Sequence, residues 1–451
     1  MSTAVIHGEG LGKEYRTHAT ISLHLLLILV IAFAARIGYV SIHERHAGEL
    51  HFVATSATPL NENEQALLAY NILSGKGYTS PKGGDTGPTA MYTPVYPYIL
   101  VASCKLFGVY SHASLIAVLA LNSLFSALTV LPLFYVGSRI GGHYLGLGAA
   151  WLWALYPSVI MVADINWTQP LAGLLVALIL WSTLELQDSS SPWLWSGYGL
   201  LCAFSVMVNP AIFAVVPFLL LWLARTLRNT GRNWLPLPAL ATFVMLLGFT
   251  PWTIRNYLVF HKFIPFRSDF AFELWLGNND RMDNCWNGCM HLDPVRNPAE
   301  LAEYARLGEI AYVSEKRPEA IAFIVARPGR TLRFTALRFA MFWTGSWYMP
   351  MYQGWSSAHW RFRILLILES LLPLLALPGL YLLWRRRARY LFPHIAFLLF
   401  FPVVYYVTHA HPGYRWPIDP ILILLAAMAL AAAQRSILEG GGFSSPEVAR
   451  P

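Results

Sequence analysis

The stretch Ala19-Thr20-Ile21-Ser22-Leu23-His24-Leu25-Leu26-Leu27-Ile28-Leu29-Val30-Ile31-Ala32-Phe33-Ala34-Ala35-Arg36-Ile37-Gly38-Tyr39-Val40 is apolar almost throughout. It reaches the roughly 20 residues that a helix needs to cross a bilayer. It is longer than the roughly 7–15-residue core of a signal peptide and shows no convincing small-residue cleavage site, so it reads as a retained first membrane helix.

The same kind of stretch recurs near 20–41, 94–108, 115–137, 143–162, 168–186, 194–208, 210–226, 236–254, 332–349, 363–384, 390–408 and 418–434. Hydrophobic residues make up 56% of the 451-residue chain and charged residues only 12%, against roughly a quarter charged in an ordinary soluble domain. A soluble core cannot absorb that much apolar sequence, and helices are the spanning form that such long runs support. The expected fold is therefore an all-α polytopic membrane protein with the lipid bilayer as its main solvent. The formal charge of +8 does not point to nucleic acid, because the basic residues cluster beside apolar runs, as in Trp384-Arg385-Arg386-Arg387-Ala388-Arg389. Such clusters orient membrane helices.

Charge parity decides which runs cross. Arg139, the Arg225, Arg228 and Arg232 group, Arg385 to Arg389, and Arg435 all belong on the cytoplasmic side if short loops follow the positive-inside rule. Only one of the 94–108 and 115–137 runs can then cross. The first is short, opens with Pro94 and Pro97 and carries Lys105, so it is assigned to the interface. Parity also keeps 332–349 from crossing, and its alternation of Arg333 and Arg338 with Phe334, Leu337, Phe339 and Phe342 suits an interfacial helix. Ten crossings remain. The expected organisation is a cytoplasmic N-terminus (1–19), a transmembrane catalytic module (20–254) that includes a first outer loop (42–114), an outer-face segment with the interfacial helix (255–362), C-terminal transmembrane helices (363–434) and a cytoplasmic tail (435–451). Cys285 and Cys289 lie close enough in sequence to bridge on an oxidising face, whereas Cys104 and Cys202 sit in apolar runs as packing residues.

The first outer loop carries Asn61-Glu62-Asn63-Glu64-Gln65-Ala66-Leu67-Leu68-Ala69-Tyr70-Asn71-Ile72-Leu73-Ser74-Gly75-Lys76-Gly77-Tyr78. Apolar residues at 67, 68 and 72 recur at helical spacing, which places Glu64 at or near a helix N-terminus, where the dipole favours a carboxylate. Spacing alone makes it a capping acid. Further on, Thr86-Gly87-Pro88-Thr89-Ala90-Met91-Tyr92-Thr93-Pro94-Val95-Tyr96-Pro97 has the glycine and proline density of a stiff, specific turn.

An acid opening a helix, then Ala-x-x-x-Leu-x-Gly-x-Gly-Tyr, Thr-Gly-Pro-Thr-Ala and Pro-x-Tyr-Pro before Lys105-Leu106-Phe107-Gly108, resembles bacterial membrane glycosyltransferases related to the protein O-mannosyltransferases. These belong to the C-type (GT-C) superfamily. The resemblance covers about 60 to 280 and returns weakly near the last helix. It implies a multi-pass protein of the bacterial inner membrane with its active site on the periplasmic face. It also implies an inverting transfer of sugar from a polyprenyl-phosphate donor to a protein, lipid or glycan acceptor. Glu64 matches the general base, where the family more often has Asp, with Glu62 as the competing acid. Asp164, in Met161-Val162-Ala163-Asp164-Ile165-Asn166-Trp167, lies where related enzymes carry a second acid, which in some members binds a metal or orients the acceptor. That leaves a divalent metal open. Arg255, in Pro251-Trp252-Thr253-Ile254-Arg255-Asn256-Tyr257, and Arg415, in Tyr414-Arg415-Trp416-Pro417-Ile418-Asp419-Pro420, would face the carrier phosphate, which a planar guanidinium can grip with paired bonds. Thr89, Tyr96, Asn256, Tyr414 and Glu62 complete the expected substrate contacts.

Other readings of these residues stay in view. Asp164 could be an ordinary interfacial acid, and Arg255 could simply snorkel at the membrane surface. His409 and His411 have the residue types of a zinc site, but the sequence fixes no acidic partner for them. A transporter or flippase of lipid-linked sugars would also need many helices and phosphate-binding arginines. Carriers, however, more often place their charges at mid-membrane, and here the candidate acids sit in loops.

Overall fold

A computed structural model of the protein describes residues 4–47, 64–281, 290–345, 360–386 and 389–440. Glu62, Cys285 and Cys289 fall outside the described residues. Within them the chain is helical, with no strand and a single isolated bridge between Thr79 and Pro88. Seven helical stretches are long and apolar enough to cross a membrane: Ile21–Ile42, His112–Gly141, Gln169–Leu186, Pro210–Asn229, Pro236–Phe260, Leu366–Arg385 and Pro412–Ser436. Three further apolar segments correspond to the other runs read as crossings. These are Pro192–Val208, Leu391–Val407 and the broken pair His143–Leu155 and Pro157–Val162. The chain is an all-helical, multi-pass membrane protein. The Val95–Phe107 helix has 13 residues, which at a rise of about 1.5 Å per residue is too short for a hydrocarbon core of about 30 Å.

Prolines set the breaks inside the apolar runs. Pro157 has no N–H for the Trp153 carbonyl and drives Tyr156 into extended backbone (φ −69°, ψ 119°), so the helix stops at Leu155 and restarts at Pro157. The freed carbonyls are not left bare. Arg36, fully buried, donates to Trp153 O at 3.0 Å and Ala154 O at 3.1 Å, and also to Ser126 Oγ at 2.7 Å and Ala32 O at 2.8 Å. A charged residue in the first apolar run thus serves as the cap for a helix break more than a hundred residues away.

Helix pairs pack through small residues, as helices must when lipid tails are as apolar as their own side chains. A Cβ built on Gly199 would lie 2.3 Å from the Ala241 carbonyl, and one on Gly248 would lie 2.5 Å from the Ala203 Cβ, so Pro192–Val208 and Pro236–Phe260 touch backbone to backbone. Gly379 makes a similar approach to the Leu425 carbonyl between Trp360–Arg385 and Asp419–Gly440. Cys104 and Cys202 are buried free thiols in this packing.

Two expectations change. The run read as 236–254 continues as a helix to Phe260 and ends at His261 in the left-handed region (φ 52°), so Arg255 is helical. The run read as 332–349 begins earlier, as the Pro328–Thr344 helix, and its Arg338 turns into the protein. It is fully buried and donates to the carbonyls of Gly277, Tyr406 and Val407, because these loop-end carbonyls have no helical partner.

Candidate active site

Glu64 is the first residue of the Glu64–Leu73 helix, whose inward face carries Ala66, Leu67, Leu68, Ala69 and Asn71. Asn71 Nδ2 donates to Thr79 O at 2.8 Å and ties the following turn back to the helix. That turn pairs Ser80 N–H with Gly87 O at 2.9 Å and needs left-handed backbone at Gly83 and Gly84, which glycine adopts without strain. It presents Lys82 next to Glu64.

Lys82 is buried and shared between two carboxylates, donating to Glu64 and, at 2.8 Å, to Asp293 Oδ2. Tyr92 donates its hydroxyl to the other oxygen of Glu64. The Glu64 side chain keeps 23% of its surface exposed, whereas Lys82 and Asp293 each keep 4%. The acid is therefore the member of the trio open to a reactant. Burial pushes Glu64 above the ordinary carboxylate range, and the Lys82 charge pulls it back part of the way. Lys82 is held protonated because Glu64 and Asp293 outweigh its own burial.

Beside this trio stands a second group. Arg267 lies over the Tyr92 ring, 5.0 Å from its centroid, and pairs with Asp269 and, at 3.6 Å, with Glu273. Its side chain is 30% exposed. Glu273 lies 2.8 Å from His409 Nδ1, an ion-pair distance without hydrogen-bond alignment, and His409 Nε2 is 2.7 Å from the Tyr414 hydroxyl. Burial raises Asp269 despite Arg267, while Glu273 is lowered because His409 and Arg267 together outweigh its burial. Of the two acids that share Arg267, Glu273 is the more acidic.

The structure brings Glu64 and Tyr414 into one charged cluster and employs the other expected residues nearby. Arg255 donates to Thr89 O at 2.6 Å, Tyr78 O at 3.3 Å and Asn256 Oδ1 at 2.9 Å. Asn256 is fully buried and donates to Ile264 O at 3.0 Å. Thr89, also fully buried, accepts the Met91 N–H on its hydroxyl. The Tyr96 hydroxyl, 2% exposed as a residue, donates to Asn166 and accepts from Asn122, both at 3.1 Å, and so fixes the loop that carries Asp164. Asp164 is half-buried there, and Trp167 in the same loop meets Tyr414 with ring centroids 5.8 Å apart. Arg415, 2% exposed, is closed on Asp419 Oδ1 at 2.9 Å, Trp343 O at 2.9 Å and Glu369 O at 2.8 Å. Both expected phosphate arginines thus hold protein partners through part of their guanidinium donors.

Lys82, Arg267, Asp269 and Asp293 were not singled out from sequence, and Glu273 only as the opening of the family-like stretch Glu273-Leu274-Trp275-Leu276-Gly277-Asn278-Asn279, without a role. The one local signal was the Arg267-Ser268-Asp269-Phe270-Ala271-Phe272-Glu273 pattern, an arginine with acids two and six residues on. Among the described residues no three His, Cys, Asp or Glu side chains come together as a metal site.

The fold has a counterpart in solved structures. An archaeal oligosaccharyltransferase, AglB from Archaeoglobus fulgidus in complex with an inhibitory peptide and a dolichol-phosphate, aligns at a TM-score of 0.56 and 13% identity, over 96% of this chain and 53% of that one. The fold is similar to that of this oligosaccharyltransferase. The apo form of the same oligosaccharyltransferase aligns at 0.54 and 14% identity, over 95% of this chain and 53% of that one. ArnT from Cupriavidus metallidurans bound to undecaprenyl phosphate aligns at 0.40 and 14% identity, over 95% of this chain and 81% of that one. The chain spans about half the length of the archaeal structures. No protein-family model and no curated protein sequence matches it.

Proposed function

We propose that the protein is an inverting glycosyltransferase of the bacterial inner membrane that moves a sugar from a polyprenyl-phosphate donor to an acceptor at the outer face. The observation that carries this reading is Glu64, a partly exposed carboxylate at the start of the Glu64–Leu73 helix, paired with Lys82 and hydrogen-bonded by Tyr92, on whose ring Arg267 lies. An acceptor O–H gives its proton to Glu64 while its oxygen bonds to the sugar C1. The bond from C1 to the phosphate oxygen breaks, and its electron pair leaves with the polyprenyl phosphate. Arg267, 30% exposed and lying on the Tyr92 ring, would hold that phosphate, with Lys82 as a second cation once it turns from Glu64. A lysine that turns from Glu64 toward the phosphate also frees the base as the donor settles. The dolichol-phosphate bound to the archaeal structure supports a lipid-phosphate donor here.

Buried ions at Arg36, Arg338 and Arg415 could suggest a carrier, but each is closed on fixed protein partners. Purified protein given a polyprenyl-phosphate sugar and an acceptor extract tests the reading. Glu64→Gln should lower transfer by about 10²–10⁴-fold, the usual loss when a general base is removed, with folded yield unchanged. Arg267→Ala should raise the donor KM by roughly 10–100-fold, the value of a hydrogen bond to a charged group, and Lys should restore part of it. Near-normal transfer by Glu64→Gln would remove it from the mechanism.

A further inference from the structure

Glu309 is a buried carboxylate, 3% exposed, at the start of the Glu309–Ala326 helix. Nothing in the proposed chemistry uses it. Its Oε1 accepts the Ala90 N–H at 2.7 Å and the Ser268 hydroxyl at 2.6 Å, and its Oε2 accepts the Tyr304 hydroxyl at 3.0 Å. Ser268 in turn donates its N–H to Ala90 O at 3.1 Å. Ala90 is thus held through both of its backbone groups, and Ala90, Ser268 and Glu309 close a ring of hydrogen bonds. The residue before Ala90, Thr89, has its carbonyl taken by Arg255 from the Pro236–Phe260 helix.

The consequence lies in the neighbours of the ring. Two residues after Ala90 comes Tyr92, which donates to Glu64, and immediately before Ser268 comes Arg267, which lies on the Tyr92 ring. The first loop and the Arg267 stretch are about 180 residues apart in the chain, and their backbones meet at Ala90 and Ser268. Without the ring, nothing described fixes Arg267 against the Tyr92–Glu64 pair except side-chain contacts. We propose that Glu309 is the positioning residue of the active site, gripping Ala90 and Ser268 so that Arg267 and Tyr92 hold their places around Glu64. Arg255 is the second jaw, acting on the adjacent Thr89 carbonyl. This inference rests on the transferase reading for its kinetic arm only.

The test combines amide hydrogen exchange with turnover on the full chain in detergent or nanodisc. In Glu309→Ala, exchange across residues 86–93 should speed up by at least about tenfold as the Ala90 N–H loses its acceptor. Transfer per folded molecule should fall on the order of 10–100-fold, as expected when reacting groups lose their alignment, with kcat bearing more of the loss than the donor KM. Glu309→Gln keeps an acceptor for Ala90 and Ser268 and should retain most of the wild-type value in both measurements. Should Glu309→Ala fail to fold, Ser268→Ala removes one bond of the ring and should show the same two changes at smaller size. Unchanged exchange in these variants, or faster exchange with turnover per folded molecule intact, would overturn the proposal. If the wild type itself transfers no sugar, the transferase reading fails, and the exchange arm alone still decides whether Glu309 holds the loop.

Discussion

At Glu64, two demands meet in one carboxylate. The sequence placed it at a helix start by spacing, where a capping acid would also stand. The structure adds Lys82, Tyr92 and Arg267 around it, and these came from turns and stretches whose own sequence carries no sign of the meeting. Lys82 and Asp293, for instance, lie 211 residues apart and yet 2.8 Å from each other. Local spacing can place a carboxylate on a helix, but only the closed fold can supply its charge partners. Arg255 and Arg415 show the complementary limit, since a motif places an arginine in the chain without revealing which groups its guanidinium meets. Titration offers a direct check on Glu64. Burial raises its pKa above the ordinary 4.5, and a base must be ionised, so kcat/KM should fall as pH drops through a value above 4.5. The residual transfer of Glu64→Gln should lack that limb. A wild-type limb at or below 4.5 would mean that another group, or no group in this range, supplies the base.

Among the elements, what sequence shows well is the apolar run, and what it shows poorly is where a run breaks. The ten runs read as crossings recur as helices, because lipid leaves the backbone no other partner than itself. The breaks at Pro157 and Pro402 follow from the missing N–H, and they divide runs that hydropathy alone joins. Arg338 was read by alternation as an interfacial residue. The structure adds that its guanidinium is buried on the carbonyls of Gly277, Tyr406 and Val407. Arg36 makes the same point and gives a test. Arg36→Leu would make the first span more apolar, yet it leaves the Trp153 and Ala154 carbonyls without a donor at a cost of about 1–3 kcal/mol for each. The expected result is a lower thermal midpoint and folded yield for Arg36→Leu, with Arg36→Lys between it and the wild type. A Leu variant as stable as the wild type would show that water or a neighbour caps these carbonyls instead.

For the whole molecule, the proposed site requires the Glu64 end of the bundle to face outward, as charge parity assigns it. Ala299 and Thr230 are both exposed and lie on segments assigned to opposite faces. With the native cysteines replaced by serine, Ala299→Cys should react with an impermeant thiol reagent added outside intact cells, and Thr230→Cys should react only after the membrane is opened. The opposite pattern would turn the site toward the cytoplasm and remove the periplasmic transfer reading. The Arg36 cap also bears on how such a molecule comes to exist. During synthesis the first span emerges well before Trp153 and Ala154, the carbonyls that will receive its guanidinium. Through that interval the guanidinium has only the Ala32 carbonyl of its own helix among these partners, and its other bonds wait for later segments. Assembly is thereby given an order, in which this span completes its bonds only after the Trp153 segment has been made.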